Sequence, residues 1–168
     1  MQPRFCIRCG TKLVRREIEK RPRPVCPACG HIAFRNAKPA VGLVIEKRGA
    51  ILLVRRERAP YKGYWDIPGG FLEEEEDAST GAKREAREET GLRVGIDDLV
   101  GVYHDKNGDD YTLNLYYTAH VTGGREKPGD DASELRWFKP RDIPTRIAFP
   151  HHTTAVMRDW RRGRRAPR

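Results

Sequence analysis

The pattern of apolar and polar positions predicts a set of β-strands in the middle of the chain. Two apolar runs, 40–46 and 50–56, are separated by a short turn and predict one β-hairpin. A second hairpin is predicted about Asn107-Gly108, because apolar and polar residues alternate along its second arm, 111–121. The stretch ELRWFKP, 134–140, predicts one more short strand.

Two segments carry a helical pattern. The first helix is predicted to begin about Glu76, after a loop at 68–70, and to end at Thr90, where Gly91 caps it. The second, HHTTAVMRDWRR at 151–162, predicts a closing helix. Its inward face is expected to carry three apolar residues: Val156, Met157 and Trp160.

The composition is that of a globular protein. The 168 residues are 38% hydrophobic and 34% charged, which suits one well-packed domain plus a small attachment. No apolar run approaches the ~20 residues of a membrane helix, and the first residues lack the apolar core of a signal peptide. We therefore expect a cytoplasmic protein that has no membrane partner.

The formal net charge of +9 is distributed unevenly. Residues 1–40 carry +8 and residues 155–168 carry +5, whereas residues 41–154 carry −4. Basic ends of this kind attract nucleic acid, attract a phosphorylated substrate, or keep the protein soluble. Few aromatic residues are interleaved with the N-terminal cations, so a surface on which bases stack is not supported.

The chain has four cysteines, arranged as two Cys-x-x-Cys pairs with 16 residues between them. This spacing is typical of a four-thiolate zinc site, and the alternatives are two disulfides or a redox pair. The expected cytoplasmic location and the duplication of the pair favour zinc, held in a closed and therefore structural site. The expected ligands are Cys6, Cys9, Cys26 and Cys29. We predict a zinc ribbon over 1–38, a main domain over 39–160, and a basic, disordered tail over 161–168.

Three glutamates lie on one face of the first predicted helix. Glu85, Glu88 and Glu89 stand at positions i, i+3 and i+4, near the negative end of the helix dipole. Like charges at this spacing destabilise a helix by a few tenths of a kcal/mol for each pair. A bound Mg²⁺ would compensate, because this ion prefers oxygen ligands and shares its coordination with substrate phosphates.

These residues belong to a longer pattern that resembles the Nudix box at every fixed position. Gly70 is followed after five residues by Glu76, and after seven more by the stretch REAREETGL, 84–92. Residues 40–150 also look like the strands of this family, and the ribbon resembles its zinc-ribbon subgroup of NADH, ADP-ribose and FAD pyrophosphohydrolases. The resemblance implies an α/β/α sandwich with a mixed sheet. It also implies Mg²⁺- or Mn²⁺-dependent hydrolysis of a nucleoside diphosphate linked to a variable group.

The resemblance also implies roles for individual residues. The metal ligands would be the carboxylates of Glu85, Glu88 and Glu89 and the carbonyl of Gly70, and Arg84 would orient the carboxylates. The general base stays open between one of these carboxylates and a metal-bound water. Glu134 lies where some members place an additional catalytic glutamate. Further candidates for substrate contact are Glu73 and four aromatic residues: Tyr103, Tyr111, Tyr116 and Phe149.

The substrate is less well defined than the reaction. NADH-specific and ADP-ribose-specific members carry proline-containing signatures soon after the box, whereas the first proline after the box here is Pro128. ADP-ribose, FAD and NAD(H)-like nucleotides are the expected substrates, and a homodimer is an open assembly state. The alternatives are a nucleotide-sensing regulator that binds nucleic acid, and an enzyme that removes a dinucleotide cap from RNA. The intact box favours an enzyme.

Overall fold

A computed structural model describes residues 3–108 and 110–163. This part of the chain forms nine strands and two helices. In chain order they are β1 (Val14–Ile18), β2 (Arg21–Val25), β3 (Lys38–Lys47), β4 (Ala50–Arg56), β5 (Trp65–Asp66), β6 (Gly69–Phe71), α1 (Ala78–Thr90), β7 (Leu92–Asn107), β8 (Asp110–Gly124), β9 (Ala132–Phe138) and α2 (Pro150–Gly163).

Seven of the strands form one mixed sheet. Its central path runs β5-β4-β3-β8-β7, with β6 added beside β3 and β9 beside β4. The β3–β8 pair is parallel, and the other pairs in the sheet are antiparallel. Strands β1 and β2 form a separate antiparallel hairpin in the N-terminal segment. The mixed sheet with two helices confirms the fold class that the sequence predicted.

The two helices cover opposite faces of the sheet. Along β3, Leu43 and Ile45 pack in a cluster with Ala82 and Ala86 of α1. Val44, on the other face of β3, packs in a cluster with three residues of α2: Val156, Met157 and Trp160. Burial on both faces explains why β3 and β4 are continuous apolar runs rather than alternating ones. The inward residues of α2 are those that the sequence predicted.

Helix α1 begins two residues later than predicted. Asp77 is its N-cap, and the Asp77 carboxylate accepts hydrogen bonds from the backbone N–H groups of Ser79 and Thr80, both at 2.8 Å. Glu76 therefore lies outside the helix, because a carboxylate placed one residue later satisfies the free N–H groups of the first turn. The helix ends at Thr90 as predicted, with Gly91 at a φ of 71°.

Three strand predictions are corrected. The 68–70 segment is not a simple loop, because Gly69–Phe71 pairs with β3 as the short strand β6. Strand β7, the first arm of the predicted hairpin, starts directly after the helix at Leu92, and irregular pairing near its start hides the alternation. In the outer half of β8, Asn114 and Tyr116 are buried while Tyr111 and Leu113 are exposed, the reverse of an apolar-inward strand.

Ion pairs connect the segment before β3 to the sheet. Arg35 and Lys38 form ion pairs with Asp110 at 3.3 and 3.0 Å, and these contacts connect the start of the main domain to the β7–β8 hairpin.

Helix α2 includes residues 161–163, which the sequence assigned to a disordered tail, and residues 164–168 lie outside the described residues. Within 3–108 and 110–163, no helix is long and apolar enough to cross a membrane.

Candidate functional site

Arg84 binds the carboxylates around the start and the exposed face of α1. Its Nε donates to Glu76 at 2.7 Å, and its Nη1 donates to Glu85 and Glu88 at 2.8 and 2.9 Å. Its Nη2 donates to the Phe71 carbonyl at 3.0 Å, which connects α1 to β6. One guanidinium therefore holds three of the four glutamates Glu76, Glu85, Glu88 and Glu89.

Two glycines of β6 bring the backbone against the glutamates. The Gly69 N–H donates to Glu89 Oε2 at 2.9 Å. A Cβ on Gly70 would lie 2.4 Å from Glu85 Oε1, so a larger residue here would displace the Glu85 carboxylate. The structure thus brings Gly70, Glu85 and Glu89 together, with Glu88 beside them on the more exposed side.

Burial leaves part of the negative charge of Glu85 and Glu89 uncompensated. Burial raises the pKa of Glu89 to about 8, although the hydrogen bond from Gly69 acts in the opposite direction. Burial also raises the pKa of Glu85, against the effect of the hydrogen bond from Arg84. Desolvated carboxylates of this kind are stabilised in the charged form by a nearby cation. The donor set, with a glycine backbone pressed against it, fits a hard divalent ion such as Mg²⁺ or Mn²⁺.

A cavity of about 250 Å³ adjoins this face on the α2 side of the sheet. Gly69 and Gly70 form the boundary between the two, because they line the cavity and also contact the glutamates. The cavity wall includes nine residues with polar or aromatic side chains: Arg56, Asp66, Phe71, Asp105, Thr112, Asn114, Tyr116, Phe149 and His152. The site therefore combines carboxylates that can bind a cation with a pocket large enough for one ring system.

Two of the aromatic candidates reach the cavity and two do not. Tyr116 and Phe149 line it. Tyr103 packs behind Tyr116, with ring centroids 5.9 Å apart, and its hydroxyl donates to Asp159. Tyr111 lies on the other face of β8 from Asn114 and Tyr116, where its ring stacks on His104.

The two additional glutamates are also away from the helix face. Glu134, on β9, forms ion pairs with Arg55 and Arg136. Glu73 is exposed in the turn before α1, where its backbone N–H donates to Glu76 Oε2 at 3.2 Å. The Glu73 N–H thus shares the Glu76 Oε2 acceptor with Arg84 Nη2, which donates to it at 2.9 Å.

Sequence reasoning missed most of the polar residues of the cavity. Three of them, Asp66, Asn114 and His152, are nearly inaccessible to solvent, and His152 lies in the first turn of α2. Burial raises the pKa of Asp66 to about 6, with Arg56 acting in the opposite direction. A signal for Asn114 was available, since a polar residue between apolar neighbours in a predicted strand is rarely buried without a reason.

The four cysteines form a second, separate cluster. Their sulfur atoms all lie within 4.8 Å of one another, and three of the Sγ–Sγ distances are 3.4, 3.6 and 3.6 Å. A tetrahedral Zn²⁺ with bonds of about 2.3 Å separates its sulfurs by about 3.8 Å, whereas a disulfide requires about 2.05 Å. The arrangement fits a zinc ion held by Cys6, Cys9, Cys26 and Cys29.

Models of known protein families match both the N-terminal segment and the main domain. A model described as the NUDIX domain matches residues 36–158, which is most of the chain. The chain belongs to the Nudix family. A second model, described as Nudix N-terminal, is a zinc ribbon and matches residues 4–34 of this Nudix hydrolase.

Individual relatives of this Nudix hydrolase span several activities. It is 37% identical over 128 residues to an ADP-ribose pyrophosphatase of Methanocaldococcus jannaschii, covering 74% of each chain. It is 28% identical over 143 residues to the NAD-capped RNA hydrolase NudC of Pseudomonas aeruginosa, covering 84% of this chain and about half (49%) of that protein. A NUDIX hydrolase from Nitrosomonas europaea has a similar structure, with a TM-score of 0.85 at 33% identity, covering 99% of this chain and 95% of that one.

Proposed function

We propose that this Nudix hydrolase cleaves the diphosphate of a nucleoside diphosphate linked to a second group, with ADP-ribose, FAD and NAD(H) as its substrates. The observation that carries the proposal is the position of Gly69-Gly70 between the glutamate face and the ring-sized cavity. A nucleotide with its ring in the cavity would have its phosphates beside the glutamates. The name of the ADP-ribose pyrophosphatase relative agrees with this substrate class.

The glutamates and Gly70 would hold the cation. A divalent ion, when bound, neutralises charge on the diphosphate. Arg84 keeps Glu85 and Glu88 oriented through its hydrogen bonds, and Gly69 positions Glu89. Of the two candidates that the resemblance left open, we take one carboxylate of this set as the group that accepts a proton from the attacking water.

Water is expected to attack phosphorus directly. The described chain presents no nucleophilic serine or cysteine beside a histidine at this site, and the cysteines are gathered in the ribbon. Hydrolysis of ADP-ribose or FAD should therefore give AMP and a second phosphomonoester.

The test is hydrolysis in ¹⁸O-water with mass analysis of both products, after a panel of ADP-ribose, FAD, NADH, diadenosine polyphosphates and nucleoside triphosphates with Mg²⁺ or Mn²⁺. One ¹⁸O in one phosphomonoester is the expected result. Release of free ribose or nicotinamide, or a trapped phosphoenzyme, would exclude the proposed reaction.

Removal of a dinucleotide cap from RNA is a second candidate. It is favoured by the +8 charge of residues 1–40 together with the similarity to NudC proteins. If the basic segment binds RNA, kcat/KM should be higher for NAD-capped RNA than for NAD, and the difference should shrink steeply with salt. Equal values for the two substrates at low salt would exclude a contribution of the RNA.

A further inference from the structure

The cavity beside the glutamates is shaped for only part of a nucleotide. Its volume of about 250 Å³ lies below the usual range of small-molecule pockets, about 300–1,000 Å³, so it has room for one ring system. The Phe149 ring already contacts the Arg56 guanidinium at 5.0 Å and the ring of His152 at 5.8 Å. The ring of Phe71 is about half exposed at the same cavity, with Lys38 Nζ 5.8 Å from its centroid, and its exposed part can contact a planar ligand.

Asn114 presents one hydrogen-bond acceptor to this cavity. Its Nδ2 donates to the Tyr103 carbonyl at 3.1 Å and to Thr112 Oγ1 at 2.9 Å, which uses both amide hydrogens. Its Oδ1 has no hydrogen-bond partner in the described part of the chain and is not one of the fully enclosed unpaired atoms. Because Thr112 Oγ1 accepts from Asn114, the Thr112 hydroxyl hydrogen stays available to donate.

A buried chain of hydrogen bonds reaches the Tyr116 hydroxyl. His152 Nδ1 lies 2.6 Å from Asp105 Oδ2, and His152 Nε2 lies 2.9 Å from the Tyr116 oxygen. A carboxylate only accepts, so His152 Nδ1 donates to Asp105. In the tautomer whose Nε2 carries no hydrogen, the Tyr116 O–H donates to Nε2, and the Tyr116 oxygen is then an acceptor for a ligand.

The three side chains share one face of the strand. Thr112, Asn114 and Tyr116 alternate along β8 and all line the cavity. They present two acceptors and one donor to a cavity that apolar residues, among them Val41 and Ile67, also line. An amino group next to a ring nitrogen has the complementary pattern.

We propose that this cavity binds the adenine ring of the substrate. The adenine amino group donates to Asn114 Oδ1 and Tyr116 Oη, and the Thr112 hydroxyl donates to a ring nitrogen. The inference rests on the proposed function, because it places adenine in the cavity and leaves the second group of the substrate outside. Hypoxanthine, which has an oxygen in place of the amino group, would turn an acceptor toward these two acceptors.

The experiment compares the binding of AMP and IMP to the full chain by calorimetry at one Mg²⁺ concentration. AMP should bind at least about tenfold more tightly than IMP, since the mismatch leaves buried acceptors unpaired. Asn114→Leu and Tyr116→Phe should each reduce that ratio to about threefold or less. Tyr111→Phe is the matched control, because this tyrosine lies on the opposite face of the same strand, and it should keep the wild-type ratio.

If Asn114 or Tyr116 has a merely structural role, its replacement weakens the binding of AMP and of IMP equally. The ratio of the two affinities then stays unchanged, which would overturn the proposal. Equal binding of AMP and IMP to the wild type would also overturn it. If Asn114→Leu does not fold, Tyr116→Phe decides alone. If the protein binds AMP more tightly than IMP but hydrolyses no diphosphate, the proposed function is rejected and the cavity assignment is supported. If it hydrolyses the diphosphate but binds AMP and IMP equally, the cavity assignment alone is rejected.

Discussion

Arg84 shows how one side chain prepares the helix face for a cation. It shares its hydrogen bonds among Glu76, Glu85 and Glu88, and these bonds raise the pKa of the guanidinium further. Hydrogen bonds to charged groups contribute about 1.5–3 kcal/mol, so the carboxylates are held in place before a cation arrives. Glu89 receives no bond from Arg84 and depends on the Gly69 N–H instead.

Replacing the carboxylates without changing their shape should stop the reaction but not the folding. Glu88→Gln and Glu89→Gln are each expected to lower kcat by about 10²–10⁴, because each removes a negative oxygen from the set that faces the diphosphate. Circular dichroism should be unchanged. Glu74→Gln, an exposed position in the turn before α1, is the matched control and should keep wild-type turnover. Near-wild-type kcat in both variants at saturating Mg²⁺ would contradict the assignment.

Asp66 should make the stability of the protein depend on pH. Burial raises its pKa from 3.8 to about 6, so between these values the folded state binds more protons than the unfolded state. Stability from this residue therefore falls as pH rises through this window, by a total of about 3 kcal/mol. Asp66→Asn has no such titration, so its unfolding free energy minus that of the wild type should increase from pH 4 to pH 7. A difference that stays constant over this range would contradict the buried carboxylate.

At the scale of elements, the position of α1 is set by its caps, Asp77 and Gly91, and by the close approach of the Gly69 and Gly70 backbone to its glutamates. Its small residues Ala82 and Ala86 face the sheet and let the helix lie close to β3, while Gly81 leaves room for the Leu72 side chain. Its end at Gly91 feeds directly into β7, which starts at Leu92. Close packing at both ends fixes the rotation of the helix, and with it the direction of the glutamate face.

The N-cap of α1 should contribute measurably to this packing. Asp77→Ala leaves the N–H groups of Ser79 and Thr80 without their partner, so the melting midpoint should fall by roughly 2–4 °C at pH 7. Asp77→Asn keeps a side-chain oxygen that can accept both bonds and should stay close to the wild type. The measurement is thermal unfolding followed by circular dichroism. An equal loss in both variants would show that charge, and not the cap geometry, matters here.

At the scale of the whole molecule, the protein has an N-terminal zinc-ribbon segment and a sheet with its own core. The ribbon hairpin is largely exposed, and two of its few buried residues are Cys6 and Cys26. Small units of this kind depend on a metal for folding because they bury little apolar surface. The sheet domain has apolar clusters on both faces and does not share this dependence.

Metal analysis should therefore find about one zinc for each chain, retained when weakly bound Mg²⁺ is removed by dialysis. Cys26→Ser is expected to lose this zinc and the order of the ribbon, while hydrolysis by the sheet domain continues. Elemental analysis and a turnover assay on the same sample make the measurement. A zinc-free protein with an ordered ribbon, or a Cys6–Cys9 disulfide, would contradict the structural zinc.

The sequence determined the features that depend on local spacing. The order of Gly70, Glu76 and Arg84 to Leu92, the two Cys-x-x-Cys pairs, and the ends of β4 and α2 all follow from residues close in the chain. Helical and strand periods are local, so such patterns can be recognised without knowing the packing. The start of α1 was missed by two residues because either Glu76 or Asp77 could offer a carboxylate to the first turn.

Only the tertiary structure decided which distant residues form the cavity. Asp66, Asn114 and His152 lie far apart in sequence and meet because β8 runs parallel beside β3 while α2 covers that face. The same packing buries Asn114 and Tyr116 and leaves Tyr111 exposed, against the alternation of the strand. A strand pattern states which residues share a face, but the layers packed on the two faces determine which face is buried.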